Sequence, residues 1–136
     1  MRAFFDTNVL VYAFDEGEPA KREVARALVE EHLIGGDGTL SVQVLREFYS
    51  ATRKQSHPLS DEEAVEAVRY LAAFSPISED AGMVIGAVRR SRELMLSFWD
   101  ALIVEAALKA GADLLLTEDL QHGRVIEGLR VENPFL

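Results

Sequence analysis

Phe4-Phe5-Asp6-Thr7-Asn8-Val9-Leu10 is a short apolar run cut off by a carboxylate and two small polar residues. Such a run, bounded by turn-forming residues, reads as a buried strand that delivers Asp6 to the mouth of a site. The competing reading is helix capping, since Asp, Thr and Asn are all preferred just before a helix, where their side chains accept orphan backbone N–H bonds. Three further carboxylates, Glu47, Asp100 and Asp119, recur where carboxylates are costly. They tip the balance from cap to site.

Outward from that run, strands and helices alternate. Residues 2–6 form a strand and 7–14 a polar cap with a short helix whose Val9, Leu10 and Val11 face inward. Glu18-Pro19 opens a helix to about Ile34 that stops at Gly35-Gly36. Thr39-Leu40-Ser41-Val42 is a second short strand, and 43–54 a helix carrying Val44, Leu45, Phe48, Tyr49 and Thr52. Ser60 caps a helix with Asp61, Glu62 and Glu63 in its first turn, which ends before Pro76. Residues 79–93 are helical and end in a basic run; 97–110 is a strongly apolar helix closed by Gly111. Asp113-Leu114-Leu115-Leu116-Thr117 is the clearest interior strand, followed by a loop over 118–123 and a closing strand around Leu129-Arg130-Val131. This order predicts a single α/β domain over residues 1–136, with a mostly parallel central sheet flanked by helices in three layers.

Composition narrows the chemistry. The chain has 136 residues, is 49% hydrophobic and 27% charged, and contains no cysteine, which excludes disulfides and thiolate zinc sites. His32, His57 and His122 lack metal-pair spacing, so any metal is held by oxygen. The apolar runs fall short of the roughly 20 residues needed to span a bilayer, and no signal peptide is evident, so the expected compartment is the cytoplasm. A formal charge of −9 argues against a protein that coats nucleic acid, whose affinity comes from Lys and Arg on phosphates. It does not exclude a nuclease, because part of the charge would sit in a carboxylate cluster and be offset by bound cations.

In open α/β sheets the site lies outside the carboxyl ends of the strands, and Asp6 and Asp119 follow the two most strand-like runs. Glu47 lies three residues after Val44 and four before Ala51, on the apolar stripe of its helix. Asp100 is flanked by Leu96, Ile103 and Val104 at helical spacing, with capping of its helix as the competing role. Carboxylates on core-facing stripes are unstable unless paired or bound to metal. Two like charges 4 Å apart repel by roughly 4 kcal/mol at an effective dielectric near 20, so four together need a counter-charge. No lysine or histidine accompanies them in these runs. Hard divalent cations such as Mg²⁺ or Mn²⁺ take carboxylate oxygens and keep several waters, which suits hydrolysis of a phosphodiester.

Asp6-Thr7-Asn8, Ser41-Val42-Gln43-Val44-Leu45-Arg46-Glu47-Phe48, Ser97-Phe98-Trp99-Asp100-Ala101 and Thr117-Glu118-Asp119 resemble, in order and spacing, the four signatures of PIN-domain nucleases. The chain is most similar to the VapC toxins of VapBC toxin–antitoxin pairs, along essentially its whole length. The resemblance implies a PIN fold and a Mg²⁺- or Mn²⁺-dependent endoribonuclease acting on RNA. It further implies a homodimer inhibited by a VapB-like antitoxin. It makes Asp6, Glu47, Asp100 and Asp119 the catalytic and metal-binding acids, supported by Thr7, Asn8, Ser97 and Thr117. Of the adjacent acids Glu118 and Asp119, the family's Thr-x-Asp spacing favours Asp119.

Three other readings compete. Aspartyl-phosphate phosphatases also start with a strand ending in Asp, but they resemble Asp-x-Asp there, where this chain has Asn8. A receiver domain lacks its early acidic doublet and late strand-end lysine. A degenerate PIN module that binds RNA or a protein partner without cutting is the remaining alternative. Arg53, Lys54, Arg89, Arg90 and Arg92 are available for an RNA backbone, although basic runs at helix ends ordinarily complement the helix dipole. His122 sits in a turn-like Gln121-His122-Gly123 and is left out of the catalytic set.

Overall fold

The computed structural model describes all residues from Met1 to Leu136. Five strands form one sheet in the order β2-β1-β3-β5-β4. The strands are β1 (Ala3–Phe5), β2 (Gly38–Thr39), β3 (Leu114–Leu116), β4 (Val125–Ile126) and β5 (Leu129–Glu132). The pairs β1–β2, β1–β3 and β3–β5 are parallel, and only β4–β5 is antiparallel. Register aligns Phe5 with Leu116 and Leu116 with Glu132, so β1, β3 and β5 end side by side.

Every residue of β1 and β3 is buried. Successive side chains of a strand point to opposite faces, so both faces of the sheet must be covered. The cover is six helices: α1 (Thr7–Tyr12), α2 (Pro19–Leu28), α3 (Val42–Thr52), α4 (Asp61–Ala72), α5 (Ala81–Leu94) and α6 (Phe98–Lys109). Phe4, Phe5, Phe48, Leu102, Leu115 and Leu129 are the large, fully enclosed side chains between these layers. No helix is long and apolar enough to cross a membrane.

Helix boundaries follow local chemistry. Ser41, Ser60, Asp80 and Ser97 each accept the backbone N–H three residues on, which starts α3, α4, α5 and α6. Ser60 and Glu63 bond reciprocally as a capping box.

The structure refines the sequence reading in three places. The helix expected to run to Ile34 leaves α geometry after Leu28 and continues as a π-helical stretch, Val29–Ile34. It then turns sharply, and a Cβ at Gly38 would lie 2.8 Å from the His32 backbone, so glycine is required for β2 to reach the sheet. A second departure is the β4–β5 hairpin, which turns through Glu127 at φ 48° and Gly128 at φ 86°. Left-handed glutamate is uncommon, so the sequence offers only half of the usual hairpin signal. Finally, of the residues carried by the helix over 43–54, Val44, Phe48 and Thr52 are buried and Tyr49 is exposed.

Leu115 lies at the centre of the sheet with no exposed surface. Leu115→Ala is expected to lower the unfolding free energy by about 2–5 kcal/mol, measured by urea titration as a shift in midpoint with unchanged slope.

Candidate active site

The carboxyl ends of β1 and β3 are joined by the Asp6 side chain. Asp6 is the last residue before α1, and its Oδ1 accepts the Thr7 N–H at 2.7 Å, so it does cap that helix. Its Oδ2 accepts the Thr117 hydroxyl at 2.8 Å, from the residue that follows β3. Main-chain bonds from Asp6 N to Leu116 O and from Thr117 N to Glu132 O extend the ladder to this level. Asp6 therefore caps α1 and also stands at the carboxyl ends of β1 and β3, as the sequence reading expected of its position.

Each neighbouring polar residue positions another acid. Thr7 Oγ1 donates to Glu47 Oε1 at 2.8 Å, across from α1 to α3. Asn8 Nδ2 donates to Asp119 Oδ2 at 2.9 Å, while Asn8 Oδ1 accepts the Glu118 N–H. Thr117 Oγ1 also accepts the Asp119 N–H at 3.1 Å. Ser97 caps α6 by accepting the Asp100 N–H at 3.0 Å, so the capping role belongs to Ser97 and leaves the Asp100 carboxylate free. All eight residues singled out in the sequence fall within this arrangement.

The four acids grade from floor to lip. Asp6 is buried, Glu47 and Asp100 are half-buried, and Asp119 is exposed. Burial, with the negative charges of Asp119 and Glu47 adding to it, pushes the Asp6 carboxyl up to about 7 despite its hydrogen bonds from Thr117 and Thr7. Asp100 is also raised, first by burial and then by the charges of Asp119 and Glu47, with Ser97 opposing. Asp6 and Asp100 thus each feel the charges of Glu47 and Asp119. None has a cationic partner, although Lys21, Arg46, Arg53, Arg90 and Lys109 are all paired with acids elsewhere.

No group of three or more such side chains is close enough to form a complete metal cage. Mg²⁺ does not require such a cage, since it usually takes one or two protein carboxylates and keeps its remaining positions for water and phosphate. Uncompensated carboxylates around a polar opening supply the hard oxygen donors that such an ion prefers.

Glu118 faces away from the ring. Its Oε2 accepts from Lys21 Nζ at 2.7 Å and its Oε1 from the Tyr12 hydroxyl at 2.7 Å. Burial raises this carboxyl, but the bonds from Lys21 and Tyr12 outweigh it and hold Glu118 below the ordinary range. The adjacent acids thus divide the work, Asp119 in the site and Glu118 in a clamp on the same turn. Lys21 also lies over the Tyr12 ring, 4.6 Å from its centroid.

Three contributors were not anticipated: Tyr12 and Lys21 in this clamp, and Gln43. Gln43 Nε2 lies 3.3 Å from both Glu47 Oε2 and the Trp99 carbonyl, tying α3 to the start of α6. Its place four residues before Glu47 was the available signal. Of the basic run, Arg90 is occupied by Glu105 and Glu127, and Arg53 by Asp61 and the Leu59 carbonyl. His122 Nδ1 accepts the Asn133 N–H at 3.0 Å and stays outside the ring.

A raised folded-state pKa means that the native protein binds this proton more tightly than the unfolded chain. Asp6 therefore has no effect on stability below the unfolded value of 3.8, and its penalty grows with pH until it is complete above about 7. Asp6→Asn is expected to stabilise the fold by on the order of 2 kcal/mol at pH 8, with the gain vanishing toward pH 4. Paired urea titrations of the two proteins across this range measure the difference.

Comparison with known proteins identifies the family and the fold. The PIN domain sequence profile matches residues 3–127. No curated protein sequence matches the chain. A toxin–antitoxin complex from Klebsiella pneumoniae superposes with a TM-score of 0.73 at 22% identity, covering 97% of each chain. VapBC2 from Rickettsia felis, bound to a DNA fragment from its promoter, gives 0.66 at 21% identity and 98% of each chain. VapC20 from Mycobacterium tuberculosis, a Sarcin-Ricin loop cleaving toxin, gives 0.66 at 20% identity over 86% of this chain and 89% of that one. At these identities the solved structures establish the shared fold, and the profile match establishes the family. The chain belongs to the PIN domain family.

Proposed function

We propose that the protein is a metal-dependent endoribonuclease, the toxin of a type II toxin–antitoxin pair. The observation that carries this reading is the ring of Asp6, Glu47, Asp100 and Asp119, which meets at the ends of parallel strands with no lysine, arginine or histidine to neutralise it. The family match and the toxin–antitoxin assemblies among similar folds support it.

Asp6, Glu47, Asp100 and Asp119 are the residues that would supply carboxylate oxygens to Mg²⁺ or Mn²⁺. A divalent ion there supplies an activated water and a charge sink for the departing oxygen of an RNA phosphodiester. The chain's own part is positioning. Thr7, Asn8 and Thr117 fix the rotamers of Glu47, Asp119 and Asp6, so the donor oxygens are preorganised before substrate arrives. The four negative charges also repel a bare phosphate, which makes binding of cation and RNA mutually dependent.

The same reading assigns the protein a VapB-like antitoxin and a place in the cytoplasm, where both that partner and RNA are found. A homodimer fits the exposed apolar stripe Val84, Ile85 and Val88 on α5, which leaves a surface for a second copy.

Purified protein incubated with total RNA and Mg²⁺ or Mn²⁺ is expected to give discrete fragments that disappear with EDTA. Asp100→Asn and Asp119→Asn should each reduce cleavage about 100-fold or more, the kinetic equivalent of roughly 3 kcal/mol. Glu118→Gln should retain the larger part, because its carboxylate serves the clamp. Absence of cleavage with either metal, in protein free of antitoxin, would return the chain to a non-cutting PIN module.

A further inference from the structure

Beside the acid ring stands a large side chain that the chemistry above does not use. Trp99 is 61% exposed, and Met95, in the connection that leads into α6, is 92% exposed. Tryptophan is on average largely buried, so this exposure is unusual. Its position is also specific, because Trp99 and Asp100 are adjacent, with Cα atoms about 3.8 Å apart across a trans peptide.

The residue is braced. Ser97 caps the helix turn that carries it, and its carbonyl accepts from the Gln43 amide that also reaches Glu47. Its ring meets Phe98 nearly edge to face, with centroids 5.0 Å apart and planes at 78°. Phe98 in turn packs on the core. A fixed aromatic surface, open to water and one residue from a phosphate-handling site, has the properties of a platform on which an unpaired base stacks.

We propose that Trp99 is a stacking platform for an RNA base adjoining the phosphate held at the acid ring, and that it selects single-stranded substrate. The inference rests on the nuclease reading above. Charge favours such a platform. The chain carries a formal −9, and five of its fourteen Lys and Arg residues, Lys21, Arg46, Arg53, Arg90 and Lys109, are paired with acids, which weakens a broad electrostatic grip on phosphates. Stacking supplies affinity that does not depend on cations. In a duplex the base faces are covered by their neighbours, whereas unpaired loop bases are free to stack on an aromatic side chain.

Trp99 is the only tryptophan in the chain, so its fluorescence reports on this position alone. In the Asp6→Asn protein, with cleavage disabled, a single-stranded RNA decamer is expected to quench the emission saturably, and a duplex of the same sequence to leave it unchanged. Anisotropy of a dye-labelled decamer gives affinity independently. Trp99→Ala should raise Kd on the order of 10- to 100-fold with the same salt slope, and Trp99→Phe should recover most of the loss. In the cleaving protein the loss should appear mainly in KM. RNA that binds by anisotropy without altering the emission, or an equal Kd in Trp99→Ala, overturns the platform while wild-type cleavage leaves the nuclease reading intact. Quenching by RNA in a protein that never cleaves keeps the platform and removes the nuclease. Emission that shifts to the blue with protein concentration and ignores RNA assigns Trp99 to a contact between two copies, which also overturns it; no binding of any RNA by wild-type protein with Ca²⁺ in place of Mg²⁺ overturns the platform, and wild-type cleavage alone decides the nuclease reading.

Discussion

A buried carboxylate without a cation is the constraint around which this molecule is arranged. Removing Asp6 from water costs several kcal/mol if it stays charged, and two hydrogen bonds compensate only part of that. The partners available to it, Thr7 N–H and the Thr117 hydroxyl, come from the two strand ends that must lie side by side for the sheet to form. Packing and polar satisfaction therefore impose the same geometry. The hydrophobic layers on both faces of β1 and β3 supply the stability that lets the chain keep such a group in place.

The distribution of cations is as informative as that of the acids. Lys21 is committed to Glu118, Arg90 to Glu105 and Glu127, and Arg53 to Asp61. None of these pairs involves the four acids. Glu118 and Asp119 show the principle most directly, since adjacent residues of one turn are neutralised and left uncompensated respectively. A carboxylate denied an ion pair in this way stays open to an external cation.

Much of this was readable from the residues themselves. Asp6 and Asp119 follow apolar runs with sharp ends, and Glu47 and Asp100 interrupt helical stripes, so local periodicity made all four candidates, while the choice of Asp119 over Glu118 needed the family's Thr-x-Asp spacing. Ser60, Ser97 and Gly111 marked helix ends by their own chemistry. What escaped was set by distant parts of the chain. Lys21 and Tyr12 reach Glu118 across 97 and 106 residues, and nothing in their local sequence distinguishes them from surface residues. The π-helical stretch before Gly35 and the left-handed Glu127 are tertiary outcomes as well, imposed by where β2 and β5 must enter the sheet.

The bridge between Asp6 and Thr117 spans 111 positions of the chain, and Thr117 in turn leans on Glu132 through β5. During synthesis the first acid of the ring leaves the ribosome long before the strand that orients it has been translated. Loop closure over such a distance is slow and is not repaid until β1 and β3 pair. A nascent or truncated chain thus carries Asp6, Glu47 and even Asp100 as scattered, solvated carboxylates. The arrangement of acids comes into being only with the completed sheet, after nearly all of these residues have been made.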